Sequence, residues 1–343
     1  MRPKSDKTAP RIAVLYTCVN AALAEVHEDL RASMDLALNA SAIAGALTSA
    51  GFDAHPLLFG REPGALCDAL RAFAPAAVFN LAEGPLDCAQ KEPHGAALLE
   101  LLQLPYTGNG PSALSLCNDK ALVKALLAQA GIATPRHRLY GATSRGKSGL
   151  RFPVIVKPAR EDGSAGITDA SVVDSEAGLR RQVARVIAEF RQEALAEEFV
   201  GGREFNVAVL GNGTGPDPYR ALPPGELVYD EPAWRVCCFA SKWDPTHPAY
   251  DAIRSVVPAR IPAGLRRTLQ TTALACARLF GVRGYARVDF RADSEGRPHV
   301  LEVNPNPDIS SDAGMARAAA AAGLSYSAMI AEILRLGIGL GAR

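Results

Sequence analysis

The chain has 343 residues, 48% hydrophobic and 21% charged, so it is long enough for two or three domains that each bury a core. Lys and Arg number 37 against 36 Asp and Glu, and the formal charge of +1 excludes a global field that would recruit nucleic acid or an anionic membrane. Seven cysteines without CxxC or His/Cys ligand spacing, a polar N-terminus and no run near the ~18 apolar residues of a membrane span predict a reduced, cytoplasmic protein.

The first hundred residues alternate short apolar runs with helical periods. The run at 12–16 is typical of a strand buried on both faces, and the amphipathic helix that follows it ends at Gly51. Pro63 opens a second helix, which leads into the apolar run 76–81. This order predicts an N-terminal domain, residues 1–110, with a parallel sheet and helices on its faces.

From residue 111 the pattern predicts a small central α+β domain that extends to residue 199. Its expected elements are a helix capped by Asn118 or Asp119 and stopped by Gly131, a strand at 152–157, a helix at 175–190 and a strand at 195–199.

Residues 200–343 form the predicted C-terminal α+β domain. After a strand at 204–210, the segment 211–250 is rich in Gly, Pro and aromatics and has no periodicity, so we expect a long functional loop. A helix at about 263–280, a hairpin and a closing helix that carries Met329, Ile333 and Leu336 follow.

The hairpin between residues 285 and 304 concentrates polar side chains on one face. If Glu295 and Gly296 form a two-residue turn, Asp289 lies opposite Glu302 and Arg287 opposite Asn304. Carboxylates about 5 Å apart repel each other unless a cation lies between them. Oxygen ligands of this kind suit Mg²⁺, although a single acidic hairpin is more often a solvated strand face.

A strand that ends in Lys157 leads into a glycine loop that contains Gly163 and Ser164. Backbone N–H groups in such a loop can bind phosphate oxygens while the lysine supplies charge. The order is neither a Walker A motif nor a dinucleotide fingerprint, and taken alone it also fits a plain surface loop.

A second glycine turn, at 201–202, lies between Glu197 and Glu204. Acids and exposed backbone groups at such a hinge can bind adenine and ribose, and an ordinary acid-rich turn is the alternative interpretation.

Six stretches in order resemble the ATP-grasp superfamily, and specifically its D-alanine–D-alanine ligase branch, between about residues 79 and 336. They are 104–110, 118–120, 154–161, 197–205, 284–290 and 302–304. The resemblance implies a mixed α/β and α+β fold, with a Rossmann-like N-terminal (pre-ATP-grasp) parallel sheet domain and two α+β domains that clamp ATP. It also implies small carboxylate and amine substrates and a homodimer. The charge balance and the lack of a long apolar run predict neither nucleic acid nor membrane as a partner.

The same resemblance assigns functions to individual residues. The implied nucleotide set is Lys120, Lys157, Gly163, Glu197, Glu198, Val200, Glu204 and Leu301. The implied metal set, for Mg²⁺ with Mn²⁺ as an alternative, is Asp289, Glu302 and Asn304. The implied catalytic set is Arg287, Lys242 and Ser164, which fits a reaction catalysed by positioning and charge rather than by a protein nucleophile.

The sequence departs from the family pattern where substrates would bind. The N-terminal Gly-Gly-x-Ser-x-Glu-His motif is not clearly present at 23–33, Gly163 replaces a loop serine, Trp243 a tyrosine and Ala313 a serine. We therefore predict an ADP-forming ligase with a different amino-acid-type substrate, acting through an acyl phosphate. A genuine D-alanine–D-alanine ligase, a non-catalytic nucleotide-binding module and an adenylate-forming ligase are the alternatives.

Overall fold

The structure, a computed structural model, describes residues 9–17, 27–83, 89–230, 236–238, 246–247 and 252–339. The α-helices in this part of the chain are α1 (His27–Ser49), α2 (Pro63–Phe73), α3 (Glu92–Leu101), α4 (Pro111–Asn118), α5 (Lys120–Gln129), α6 (Glu176–Phe190), α7 (Ala263–Leu279), α8 (Gly314–Ala321) and α9 (Tyr326–Ile338). Short 3-10 helices cover Ala89–Lys91 and Asp169–Ser171.

The strands in the same residues alternate with these helices. They are β1 (Arg11–Thr17), β2 (Asp53–Phe59), β3 (Ala77–Leu81), β4 (His137–Tyr140), β5 (Val154–Pro158), β6 (Val172–Val173), β7 (Ala194–Glu198), β8 (Glu204–Gly211), β9 (Tyr219–Ala221), β10 (Gly225–Tyr229), β11 (Ile253–Val256), β12 (Gly284–Ala292) and β13 (Pro298–Asn304).

The chain divides into two units, and the first combines Met1–Pro111 with Gly323–Arg343. Its sheet is parallel in the order β2-β1-β3, which confirms the predicted β-α-β-α-β arrangement. All five residues of β3 are buried because the strand is covered on both faces, as the continuous apolar run indicated. Gly51 adopts a positive φ of 94° at the end of α1, as the predicted helix stop requires.

Helix α9 belongs to this first unit and packs against α1. A Cβ atom added at Gly337 would lie 2.8 Å from the Tyr106 carbonyl oxygen and from the Thr107 Cα atom. Only glycine allows the helix to approach the Tyr106–Thr107 backbone this closely.

The second unit, Ser112–Ala322, contains two antiparallel sheets. In the four-stranded sheet, of order β4-β7-β5-β6, alternate residues pack on α6: Val154 and Val156 from β5, with Ala194 and Ala196 from β7. The other face of these two strands therefore carries Lys157 and Glu197.

The second sheet has six strands in the order β11-β10-β8-β12-β13, with β9 paired to β8. Val207 of β8 and Val288 of β12 pack in one core with Leu269 of α7 and Val123 of α5. Strand alternation consequently places Arg287 and Asp289 on the face of β12 opposite this core.

The segment 211–250 is only partly the loop that its composition predicts. Strands β9 and β10 lie within it, because both pair antiparallel with β8 and so satisfy their backbone groups. Pro223 and Pro224 fall between the two short strands and mask the period-two pattern. Helix α4 was not predicted either, whereas Asp119 caps α5 as expected, accepting from the Leu122 N–H at 3.0 Å.

Among the residues described, no single helix has both the length and the apolar character of a membrane span. Helices α8 and α9 reach that standard only when they are counted together across a break. The division of the second unit at residue 199 into a central and a C-terminal domain stays a prediction.

Candidate active site

A buried group of ion pairs lies on the face of the four-stranded sheet opposite α6. The Glu197 carboxylate on β7 is 2.8 Å from Lys157 Nζ on β5 and 3.2 Å from Lys124 Nζ on α5. Ile155 is the direct cross-strand partner of Glu197, so Lys157 is its diagonal neighbour on the same face. The exposed fractions of Lys124, Glu197 and Lys157 are 0%, 1% and 7%, so water contributes little to solvating these charges.

The attraction between opposite charges keeps both Glu197 and Lys157 ionised. Burial raises the pKa of Glu197, but Lys124 and Lys157 outweigh it, and the pKa of this carboxyl is lowered overall. Burial lowers the pKa of Lys157, yet Glu197 and Glu302 raise it further, so the net shift is upward. Lys157 is therefore an ammonium group across the physiological range.

Lys124 was missed in the sequence analysis because it reads as one polar position of an amphipathic helix. Burial lowers its pKa from 10.5 to about 8, with Glu197 acting in the opposite sense. Lys120 lies one helical turn earlier on the same face of α5 and is also buried. The sequence signal that identifies Lys124 is a pair of lysines at this spacing on the buried side of a predicted helix.

The hairpin brings together the residues of the predicted metal set. Asp289 of β12 pairs with Glu302 of β13, and Arg287 pairs with Asn304, which confirms the predicted register at the site. Arg287 binds the Asp289 carboxylate through two hydrogen bonds, Nε to Oδ1 at 2.7 Å and Nη2 to Oδ2 at 2.8 Å. Burial lowers the pKa of Arg287, while Asp289 and Glu302 raise it, and the net shift is upward.

The predicted two-residue turn is wrong. Ala292 pairs with Pro298, so residues 293–297 form the connection, and the register shifts between Asp289 and Phe290. Asp293 stabilises this turn by accepting from the N–H groups of Glu295 and Arg297, each at 2.9 Å. A β-bulge at Leu301 compensates for the different turn length, and for that reason the pairing of Asp289 with Glu302 survives.

Contacts from α5 connect the bulge to the lysines. Lys124 Nζ donates to the Leu301 carbonyl oxygen at 3.1 Å, and Lys120 Nζ lies 3.9 Å from Glu302 Oε2. Lys120 also donates to the Glu161 carbonyl oxygen in the loop after β5. The structure therefore brings Lys120, Leu301 and Glu302 together, and Glu302 is close enough to Lys157 to affect its pKa.

The loop after β5 holds Gly163 and Ser164, with positive φ angles of 58° and 67°. At Gly166 a Cβ atom would lie 2.6 Å from Pro158 and 2.8 Å from Phe190, so this position requires glycine. The loop backbone closes through a bond from the Ile167 N–H to the Ser164 carbonyl at 3.0 Å. Its geometry is compatible with a phosphate-binding loop.

The Glu204 carboxylate lies in a separate cluster on the six-stranded sheet. It accepts from Arg291 Nε at 2.8 Å and from the Tyr229 hydroxyl at 2.7 Å. Burial and the Glu204 charge both raise the pKa of Tyr229, so its hydroxyl stays protonated and donates. Arg291 also donates to the Val200 carbonyl at 3.1 Å, which links two residues of the predicted nucleotide set.

Glu198 is not brought to the lysine group. Strand alternation turns its side chain away from that of Glu197, and its carboxylate binds Arg151 at 2.8 Å and Arg136 at 3.2 Å. A contact between Glu198 and a nucleotide at the Lys157 face would have to use its backbone.

Some predicted residues lie outside the described part of the chain. These are Lys242, Trp243 and residues 23–26, and for 27–33 only the helical backbone of α1 is described. Ala313 is described, and it precedes α8 in an extended conformation.

The donor chemistry of the hairpin fits a magnesium ion that retains water and phosphate ligands. Asp289 and Glu302 offer carboxylate oxygens, and Asn304 offers an amide oxygen that accepts from the Asn306 N–H at 2.8 Å. Within the described residues, no group of three or more His, Cys, Asp or Glu side chains could hold a metal. Two carboxylates and an amide therefore match a site completed by substrate oxygens better than a closed protein cage.

The chain is similar to several known proteins. Residues 133–335 match the family model described as D-ala D-ala ligase C-terminus. The chain is similar to uncharacterized protein y4sG of Sinorhizobium fredii, with 36% identity over 75% of this chain and 73% of that protein. It is also similar to the D-alanine–D-alanine ligase of Bordetella pertussis, with 34% identity over 84% and 86% of the two chains.

The fold is shared with a solved structure, that of the D-alanine–D-alanine ligase from Bacillus anthracis complexed with ATP. The TM-score is 0.75 at 21% sequence identity, and the match covers 97% of this chain and 99% of that one. At this identity the likeness concerns the fold, and it confirms the predicted mixture of a parallel sheet with antiparallel sheets.

Proposed function

Because the chain belongs to the D-alanine–D-alanine ligase family and is therefore an ATP-dependent, ADP-forming ligase, we propose that it joins a small carboxylate to an amine. We propose further that this pair of substrates is not two molecules of D-alanine. The observation that carries this proposal is the cationic group Lys157, Lys120 and Arg287 placed beside the paired carboxylates of Asp289 and Glu302. Such an arrangement matches the charge of a metal-bound triphosphate.

The proposed reaction has two steps that need no protein nucleophile. A substrate carboxylate oxygen attacks the γ-phosphorus of ATP, the bond to the bridging oxygen breaks, and an acyl phosphate and ADP form. The amine nitrogen then attacks the acyl carbon, loses a proton, and expels inorganic phosphate from the tetrahedral intermediate. Arg287, Lys242 and Ser164 are proposed to stabilise charge during these steps.

Mg²⁺ or Mn²⁺ would be held by Asp289, Glu302 and Asn304. When bound, the ion neutralises charge on the phosphate oxygens. The bidentate bond from Arg287 leaves lone pairs on the Asp289 carboxylate, since such a group has about four acceptor positions.

The nucleotide would lie against the face of the four-stranded sheet that carries Lys157 and the face of the six-stranded sheet that carries Asp289. Lys120 and Lys157 are proposed to bind phosphates together with the backbone of Gly163, and Glu204 the ribose. The carboxylate of Glu197 binds two lysines, so its support for ATP is proposed to act through Lys157. Val200, Leu301 and the backbone of Glu198 are proposed to contribute at the adenine.

The substrate is proposed to differ from D-alanine because the departures from the family pattern fall at substrate positions. Gly163, Trp243 and Ala313 each remove or change a hydroxyl of the family pattern. Asp308 lies near enough to Arg287 to contribute, after Asp289 and Glu302, to raising the pKa of its guanidinium.

A product screen with Mg·ATP over paired amino acids and amines tests the proposal, with Glu302→Gln as the inactive control. ADP and phosphate release with a pair other than D-alanine supports it, whereas best stimulation by D-alanine alone identifies a D-alanine–D-alanine ligase. That second function is favoured by the 34% identity to a ligase of that name.

The same screen separates the remaining alternatives. AMP and pyrophosphate would indicate adenylation, and tight ATP binding without turnover across the panel would indicate a nucleotide-binding module. A homodimer is proposed on family likeness, and sedimentation of the full chain tests it.

A further inference from the structure

The Lys124 ammonium group has a complete set of hydrogen-bond acceptors. Its Nζ atom lies 3.2 Å from Glu197 Oε2, 3.1 Å from the Leu301 carbonyl oxygen and 3.2 Å from Thr134 Oγ1. An ammonium group donates three hydrogen bonds, so these acceptors use all of them. The side chain has an exposed fraction of 0%, so it contacts neither solvent nor substrate directly.

The acceptors of Lys124 belong to different parts of the second unit. Glu197 is on the four-stranded sheet, and Leu301 is the bulge residue at the edge of the six-stranded sheet. Thr134 lies in the connection after α5, and its hydroxyl donates to the Val300 carbonyl at 2.8 Å. Lys124 therefore links the two sheets at one buried point.

Each end of this link adjoins a residue of the proposed ATP site. Glu197 holds the Lys157 ammonium at 2.8 Å, and Leu301 immediately precedes Glu302 on the bulged strand. The bulge is what aligns Glu302 with Asp289, and Lys124 and Thr134 fix the carbonyl groups on which it depends.

Stability alone is a poor explanation for this lysine. Burial opposes its charge strongly enough to lower its pKa to about 8, and a buried ion pair is often no more stabilising than apolar residues of similar volume. The three bonds of Lys124 instead fix the positions of Glu197 and Leu301 relative to each other.

We propose that Lys124 is a positioning residue that sets the separation between the phosphate lysine Lys157 and the metal carboxylate Glu302 by fixing Glu197 and the Leu301 bulge. This inference rests on the proposed function. It predicts that loss of Lys124 weakens Mg²⁺-dependent ATP binding as well as turnover, since groups that orient ligands typically change metal affinity or activity by about 10–100-fold.

Lys124→Met tests the proposal, because methionine keeps much of the side-chain length and donates no hydrogen bond. Tyr219→Phe is the matched control: it removes a bond of 2.8 Å to the Val282 carbonyl in the same unit, away from the proposed site. Melting temperature, the dissociation constant for ATP at several Mg²⁺ concentrations, and ADP release are measured for both, well below each variant's Tm.

For Lys124→Met we expect the Mg²⁺ concentration at half-saturation to rise by about tenfold or more, with a similar fall in kcat. Tyr219→Phe should lower Tm while both quantities stay within about twofold of wild type. A Lys124→Met protein with a lowered Tm and unchanged Mg²⁺ and ATP affinities overturns the proposal.

If Lys124→Met does not fold, Thr134→Val decides the question, because it keeps the lysine and removes one of its acceptors. A smaller shift of Mg²⁺ half-saturation in the same direction supports the proposal, and no shift contradicts it. Nucleotide binding is read without turnover, so a wild-type protein that binds Mg·ATP but ligates no pair refutes the proposed function and leaves this comparison valid.

Discussion

Strand β7 carries two adjacent glutamates that are each held between two cations, one pair inside the molecule and one at its surface. Glu197 contacts Lys124 and Lys157, whose side chains are 0% and 9% exposed, whereas Glu198 contacts Arg136 and Arg151, which are 64% and 82% exposed. In the interior each charge depends on its partners for solvation, whereas at the surface Glu198 is itself only 11% exposed but water solvates its two arginine partners. Neighbouring residues with the same charge and similar partners are therefore not equivalent, although the family resemblance assigns both to the nucleotide.

The largest expected effect is on stability, from Glu197→Leu. This change leaves Lys124 and Lys157 buried beside each other without the carboxylate that both contact, and breaking such a group typically costs about 3–5 kcal/mol of unfolding free energy. Urea unfolding of the variant and of wild type measures the difference. A loss no larger than that of Glu198→Leu would mean that the two groups are equivalent after all.

Lys157→Met should affect catalysis more than folding, since Lys124 remains to balance Glu197. We expect kcat for ADP release to fall by about 10²–10³-fold, as for removal of one group that stabilises transition-state charge. Arg151→Met is the matched control, because Arg151 occupies the corresponding place beside Glu198, and its kcat should be unchanged. Equal losses in the two variants would contradict the distinction between interior and surface.

Acid unfolding gives a third comparison. Burial raises the pKa of Glu197, but Lys124 and Lys157 bring it below its ordinary 4.5, so the unfolded chain binds this proton more readily than the folded one. The stability that Glu197 contributes is fully present above pH 4.5 and is lost as the pH falls below it. Chemical denaturation between pH 3 and 6 should therefore show a flatter acid limb for Glu197→Gln than for wild type, and an unaltered slope would refute this account.

The smallest effect is expected for Glu198→Gln. The Arg136 and Arg151 side chains are mostly in water, so we expect Tm to fall by no more than about 4 °C and ADP release to stay at the wild-type rate. Differential scanning fluorimetry and the release assay check this together. A loss of activity here would place the Glu198 side chain in the nucleotide site and remove the contrast on which the other predictions depend.

The sequence was informative where a local pattern and the chemistry coincide. Alternation along 285–304 predicted the pairing of Asp289 with Glu302, although the assumed turn was wrong and a bulge restored the register. Buried strands and capped helices were predicted for the same reason, since apolar period and cap residues are local signals.

Other features depend on partners that are distant in the sequence. Nothing near Lys124 indicates that its acceptors are Glu197 and Leu301, and β9 and β10 form because β8 pairs with both. The direction of the Glu198 side chain likewise follows from its strand, not from its neighbours in the motif.

The placement of α9 has a consequence for the order in which the protein is made. Ser112–Ala322 is one continuous stretch, whereas the first unit is completed by α9, a helix that packs on α1 and is synthesised after all of that stretch. During translation the second unit can finish folding while β1, β2 and β3 still lack α9 and its close packing on the Tyr106–Thr107 backbone. Residues 1–111 thus leave the ribosome before the second unit but complete their packing after it.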